Sequence, residues 1–303
     1  MGEVPDNAQV HLLNADLHSH STVSDGTLQP EALAQRAADR GVELWALTDH
    51  DALAGQARAR EAALDLGLAW LTGTEVSVTF AGETVHVIGL GFDADNPDLV
   101  AGLATTRGGR LQRAREMADS LGRAGIPGAL DGALSYVEDP QAVTRTHFAR
   151  FLVDRGICSD AHEVFRRFLN EGKPGFVPHR WARLGDAVKW ITGAGGMAVV
   201  AHPARCRFSP TAEFALFSEF VAHGGRGVEV MVSAHNDLER RRFADIALEF
   251  DLHASRGSDF HDPVESRCDL GSLPDLPGTL RPVWQALAPR IQGLRDQALS
   301  RSA

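Results

Sequence analysis

Short apolar runs alternate with amphipathic stretches along most of this chain. "HLLNADLH" (11–18), "VELWALTDH" (42–50), "LAWLTGTEVSV" (68–78), "ETVHVIGLGF" (83–92), "MAVVAHP" (197–203), "GVEVMVS" (227–233) and "HASRGSDFH" (253–261) read as buried strands. Between them, "PEALAQRAADRG" (30–41) predicts a helix with Pro30 in its first turn and Gly41 as its stop. "ALAGQARAREAALDLG" (52–67) predicts a second helix, and segments near 211–223 and 236–250 two more. Repeated βα units predict an α/β fold with a parallel sheet or barrel. From about 97 to 190 the alternation gives way to helical, arginine-rich sequence: "TTRGGRLQRAREMADSLGRAGI", "PQAVTRTHFARFLVDRGI" and "DAHEVFRRFLNEGKPGF". The expected organisation is a barrel domain from residues 1–96 and 191–303, with 97–190 as a helical insertion over one end.

Composition narrows the classes. With 303 residues, 44% of them hydrophobic and 23% charged, the chain is of ordinary globular character. A formal charge of −10 argues against gripping a long nucleic-acid duplex through a general basic surface. Any anionic substrate must then meet local cations. Cys158, Cys206 and Cys268 lie far apart and give no disulfide framework. No apolar run approaches the ~18 residues of a membrane span and the N-terminus lacks a signal-peptide pattern, so the expectation is a cytoplasmic protein with no membrane partner.

The polar residues at the strand ends carry the chemistry. His18 and His20 close the first strand, where residues two apart share a face, so Ser19 turns away. Asp49 and His50 end the second strand, Glu75 falls in the third and His86 in the fourth. His202 ends "MAVVAHP", Asp259 and His261 end "GSDFH", and Asp25 lies in the loop after the first strand. Residues at the C-terminal ends of barrel strands converge on one face. Six imidazoles and three carboxylates, with Asp49 left aside as a partner that could orient a ligand histidine, exceed what one metal uses. His11, His162, His179, His223, His235 and His253 are read as surface or hydrogen-bonded core residues. There is no G-x-S-x-G elbow for a serine hydrolase.

In order along the chain, "DLHSHSTVSDG", "LTDHD", "GTEVS", "HVIGLGF", "AHPAR" and "GSDFH" resemble the successive motifs of the polymerase and histidinol phosphatase (PHP) family of metal-dependent phosphoesterases. "TRTHFARFLVDRG" and "AHPARCRFS" also resemble its bacterial 3′,5′-nucleoside bisphosphate phosphatases, some of which act as 5′-to-3′ exonucleases on short RNA. The resemblance implies a distorted (β/α)7 TIM-like barrel with two to three divalent metals, most often Mn²⁺, with Zn²⁺ or Fe²⁺ as alternatives. By the family pattern His18, His20, Glu75 and Asp259 hold the first metal. Glu75 bridges to a second held by His86 and His202, and Asp25, His50 and His261 hold the third. All nine positions carry residues able to bind metal.

The implied reaction is removal of the 3′-phosphate of a 3′,5′-nucleoside bisphosphate, such as 3′,5′-adenosine bisphosphate, by hydroxide held between metals. The alternatives are a 5′-3′ exoribonuclease using the same site on short RNA and a metal-binding module without turnover. Arg110 and Arg113, three apart on one predicted helix, with Arg145, His147 and Arg205, are the candidates for substrate phosphate. Asp25 and His147 are candidates for protonating the leaving oxygen, with metal-bound water the third. Arg107, Arg115, Arg123, Arg166 and Arg167 are expected on solvated helix faces. Trp45, Trp70, Trp181, Trp190 and Trp284 are expected as core or packing residues, with Phe176 and Trp181 placed where either could also stack on a base.

Overall fold

The computed structural model describes residues 13–293. Expectations for His11 and for the chain ends lie outside them. Three two-residue strands, β1 (Ala15–Asp16), β2 (Leu44–Trp45) and β3 (Ala69–Trp70), form a parallel sheet. Helices α1 (Pro30–Asp39) and α2 (Gln56–Asp65) cross over between them, close to their predicted spans. A larger sheet holds β4 (Gly73–Phe80), β5 (Glu83–Leu90), β6 (Ala182–Arg183), β7 (Met197–Val200), β8 (Gly227–Val232) and β9 (His253–Gly257), in the order β6-β4-β5-β7-β8-β9.

Two features differ from the predicted pattern. The run 68–78 is interrupted at Leu71–Thr72, so that β3 and β4 fall in different sheets. β5 runs antiparallel to both β4 and β7. The cause is local: Ala81 and Gly82, with φ of 48° and 86°, make a two-residue turn that returns the chain at once and leaves no room for a crossover helix. The fold is therefore α/β with one parallel and one mixed sheet.

Single bridges and hydrogen bonds link the sheets. Ser19 pairs with Phe260 and His50 with Glu75, and the Leu17 N–H donates to the Arg256 carbonyl at 3.0 Å. These links draw the segments after β1, β2 and β9 beside β4. The main core packs Leu17, Leu44, Val76, Val87, Ile88, Val199 and Val228 with the helices outside them. α3 (Pro97–Arg107) and α8 (Leu184–Gly193) join that core through Leu99, Leu103, Leu184, Val188 and Ile191.

A separate apolar cluster is built from α4 (Arg110–Arg123), α5 (Ala129–Leu134), α6 (Arg145–Asp154) and α7 (Ala161–Val164), with Met117, Leu121, Phe148, Leu152 and Val164 at its centre. The remaining helices, α9 (Pro210–Ala222), α10 (Asp237–Glu249) and α11 (Val283–Ala286), flank the later strands. Among the described residues no helix is long and apolar enough to cross a membrane. Trp45, Trp70 and Trp284 are fully buried and Trp190 packs against the main core, as expected.

Candidate metal centre

His18 and His20 leave β1 in an extended segment. Ser19 between them turns into the protein, donating to the Ala46 carbonyl and accepting the Trp45 indole N–H at 3.0 Å. The two imidazoles consequently share a face, with their Nε2 atoms 3.1 Å apart. Glu75 Oε2 lies 3.3 Å from each of these nitrogens and Asp259 Oδ1 lies 3.4 Å from each. On the other oxygen of the same carboxylate, Glu75 Oε1 lies 2.9 Å from both His86 Nδ1 and His202 Nε2, which are 3.4 Å from each other. Asp25 lies 3.3 Å from His261 Nε2 and 3.8 Å from His50 Nε2. All nine residues singled out in the sequence are thus brought together in one cluster, where their donor atoms fall into four overlapping groups rather than three separate ones: His18, Glu75 and His202; His18, His20 and Asp259; His50, Glu75 and His86; and His20, Asp25, His50 and His261. His50 Nδ1 also reaches Glu75 Oε2 at 3.0 Å. Glu75 is the hub.

His86 arrives by a route other than a parallel strand end. It sits opposite Ser77 in the antiparallel β4–β5 ladder, on the face that Glu75 shares two residues away. Asp49 is not a member of the cluster. It accepts the Ser21 N–H and the hydroxyls of Ser21 and Ser24 at 2.6–2.8 Å, fixing the loop that presents Asp25. His202 and Asp259 have φ of 26° and 54°, backbone strain of a kind that concentrates at functional sites.

The donor set fits divalent metal on three counts. Asp25 Oδ1, Glu75 Oε2 and Asp259 Oδ1 are buried without a hydrogen-bond donor among the described residues. Donor atoms 3.1–3.4 Å apart at right or tetrahedral angles lie about 2.0–2.4 Å from a common ion, the range of nitrogen and oxygen ligands. The charge balance agrees. Burial pushes the Glu75 carboxyl up, yet the imidazoles of His86, His18 and His50 hold it well below its usual range. Burial opposes protonation of His18, yet Glu229, Glu75 and Asp259 raise it well above the usual value. These carboxylates demand positive charge, and metal ions supply it. Mixed nitrogen and oxygen donors suit Mn²⁺, Fe²⁺ or Zn²⁺.

Over this cluster lies a group of arginines. Among the described residues Arg145 has no carboxylate partner; burial and the neighbouring Arg110 and Arg205 push it down. Arg113 donates to the Val177 carbonyl at 3.1 Å, and burial with Arg145 and Arg110 pushes it down to about 9. Arg205 reaches Asp259 Oδ2 at 2.6 Å while half its side chain faces solvent. Arg110 is different: its guanidinium is buried and held by the Asp51 carboxylate and the Ser77 hydroxyl. Arg107, expected on a solvated face, donates instead to the Asp51 carbonyl at 2.6 Å. Trp181 lies under the cations, 4.7 Å from the Arg110 and 5.4 Å from the Arg113 guanidinium. Its ring, placed by sequence near a base, is already covered by cations, and Phe176 is half-buried.

His147 is wholly buried at the start of α6. Its Nδ1 accepts the Thr144 N–H at 3.0 Å in a capping box, so the proton resides on Nε2, which is buried without a partner. Burial pushes His147 down to about 4. The Thr144 hydroxyl also donates to Asp25 at 3.0 Å, tying α6 to the metal cluster. Burial pushes Asp25 up, but His50, His261 and His20 hold it well below the carboxylate range.

Two residues of the site escaped sequence reasoning. Glu229 is fully buried in β8 against His18 and His202, and Asp51 anchors Arg107 and Arg110. A lone acid within the apolar "GVEVMV" was a usable signal, because such a group is buried only with partners.

Comparison with known proteins agrees with this geometry. The PHP domain model matches residues 16–137. The chain is 49% identical over 280 residues to the 3′,5′-nucleoside bisphosphate phosphatase of Chromobacterium violaceum, covering 92% of this chain and 98% of that protein. It is 41% identical over 270 residues to a 5′-3′ exoribonuclease of Haemophilus influenzae, covering 89% of this chain and 97% of the relative. A solved Chromobacterium violaceum structure, described as an amidohydrolase with bound sulfate and no metal, superposes with a TM-score of 0.90 at 49% identity, over 92% of this chain and 97% of that one. Motifs, metal-suited geometry and near full-length relatives converge, and the chain belongs to the PHP family of phosphoesterases.

Proposed function

We propose that this protein is a metal-dependent phosphatase that removes the 3′-phosphate of 3′,5′-nucleoside bisphosphates. The carrying observation is the pairing of a His/Asp/Glu metal-ligand cluster with cations short of counterions: among the described residues Arg113 and Arg145 have no carboxylate partner, while Arg205 pairs with one cluster residue, Asp259. A substrate with two phosphates supplies one for each half. His18, His20, Glu75 and Asp259 would hold one ion, Glu75, His86 and His202 a second, and Asp25, His50 and His261 a third, Mn²⁺ being the expected metal. When bound, such ions make water acidic enough to react near neutral pH and polarise the phosphoryl group. We read the two linked sheets as sectors of the distorted barrel, and the segment 97–190 as its cap.

The chain's own residues then bind and orient. Arg113, Arg145 and Arg205 hold the non-reacting phosphate, with Arg110 positioned beside them by Asp51 and Ser77. His147, neutral at pH 7, donates through Nε2–H. Asp25 is held below the carboxylate range and His147 unprotonated near neutral pH, which supports the third candidate, water that bound metal would hold, as the source of the leaving-group proton. The named relative in Chromobacterium violaceum supports the substrate.

The test is discrimination. The Arg113→Met/Arg145→Met variant, which touches no metal-ligand candidate, should lose at least ~100-fold in kcat/KM on 3′,5′-adenosine bisphosphate while changing 3′-AMP hydrolysis little, charge-assisted hydrogen bonds being worth about 1.5–3 kcal/mol each. Unchanged preference between the two substrates would refute the assignment. A second reading, 5′-3′ exoribonuclease activity, is supported by the Haemophilus influenzae relative, and a groove lined in part by Thr22, Val23, Arg58 and Arg107, but also by the acidic Asp95, Glu138 and Asp139, lies nearby. It flanks the loops carrying Asp25 and His50 and offers room for a further nucleotide.

A further inference from the structure

Glu229 is fully buried in β8, where Val228, Val230 and Val232 fill the neighbouring positions. The β8–β9 register shifts between Glu229 and Met231, an irregularity of the kind that re-aims a side chain beside an active site. Its two oxygens go to two different histidines. Oε1 lies 2.9 Å from His18 Nδ1, and Oε2 accepts the His202 backbone N–H at 2.7 Å. His18 faces the first ligand group with Nε2, 3.1 Å from His20 Nε2. His202 faces the second, its Nε2 2.9 Å from Glu75 Oε1. His202 also holds φ at 26°, a conformation that needs support from its surroundings.

We propose that Glu229 is a positioning residue that couples the first and second metal subsites, fixing the tautomer and aim of His18 while pinning the backbone of His202. Both partners are donors, so the position calls for two acceptors. A carboxylate has them; a carboxamide has one acceptor and one donor, and must leave either His18 or His202 facing an N–H. Aspartate, shorter by one methylene, cannot span both. The third group, Asp25, His50 and His261, is outside its reach: His261 Nδ1 is set by the Asp259 carbonyl at 2.9 Å. The inference rests on the metal reading of the nine residues but not on the choice of substrate.

The experiment is Mn²⁺ titration of chelator-stripped Glu229→Gln by calorimetry, with metal analysis after gel filtration, beside wild type and Asp25→Asn. Glu229→Gln preserves volume, and its circular dichroism establishes folding. The expected result is that two ions bind about 10–100-fold more weakly while the third keeps its wild-type affinity, the range known for residues that orient metal ligands. Asp25→Asn should show the complement, weakening one ion alone. Unchanged affinities in Glu229→Gln, or weakening of a single ion, would overturn the coupling. The titration contains no nucleotide, so wild-type metal binding without bisphosphate turnover would sink the substrate proposal and leave this one standing.

Discussion

Trp181 offers a quantitative probe of the cation group. Its backbone N–H donates to Thr79 Oγ1 at 2.9 Å and its indole N–H to Thr84 Oγ1 at 3.3 Å, so the ring is held at both ends. Arg110 and Arg113 stack on it at 4.7 and 5.4 Å. For Arg113, which has no carboxylate partner among the described residues, the ring face stands in for a counterion. Each contact at such a largely desolvated place is worth about 0.5–2 kcal/mol, the nearer one more. Trp181→Leu keeps the apolar bulk and removes the π face, so the two losses together amount to about 1–4 kcal/mol, or roughly 5–900-fold. Steady-state kinetics should show that fall in kcat/KM for 3′,5′-adenosine bisphosphate, mainly through KM. The 3′-AMP value should stay within about twofold, and Mn²⁺ content should stay constant. Trp181→Phe should recover most of the loss. An equal fall on both substrates would mean that the ring merely supports the fold, and no fall on the bisphosphate would refute its role beneath the cations.

Three further outcomes follow from named groups. His147 is pushed down to about 4 from its usual 6.5, so the unfolded chain takes up the proton first as pH falls; this stability is present above pH 6.5 and lost as pH drops toward 4, about 3 kcal/mol in all. His147→Gln should therefore flatten the acid limb of thermal stability between pH 6.5 and 4, and an unchanged limb would show that His147 is not held neutral. Gly257→Ala would place a methyl group 2.3 Å from His18 Cβ and 2.6 Å from its backbone nitrogen, so it should lower both Tm and Mn²⁺ affinity; wild-type Mn²⁺ affinity would show that His18 tolerates displacement. Asp51→Asn weakens the anchor shared by Ser77 and Arg110 and should raise KM for the bisphosphate several-fold at unchanged metal content, measured by initial rates.

The sequence was most legible where local geometry carries the information. Two-residue spacing placed His18 and His20 on one face, and the positions of Glu75, His202 and Asp259 in or just beyond apolar runs marked them as convergent. The direction of β5 was missed because the eye follows apolar runs, while the decisive signal was the short Ala81–Gly82 turn between them. Glu229 was hidden by its own apolar strand, although an acid in that setting implies partners. Asp51 and Arg110 were beyond reach for another reason: they pair across 59 residues, and only the folded path of the chain brings them together. The nine-residue cluster was readable as motifs, whereas the electrostatic support around it depends on tertiary contacts that no spacing rule encodes.

The most direct measurement is phosphate release by the chelator-stripped and Mn²⁺-reloaded protein from 3′,5′-adenosine bisphosphate, 3′-AMP, 5′-AMP and a 5′-phosphorylated RNA dinucleotide, with Glu75→Gln alongside. The expected result is metal-dependent turnover that favours the bisphosphate by at least ~100-fold over either monophosphate and is abolished in Glu75→Gln, whose carboxylate is shared by five imidazoles. Turnover that survives metal removal or the Glu75 substitution, or an equal rate on the monophosphates, would contradict a multi-metal centre roofed by a second-phosphate clamp.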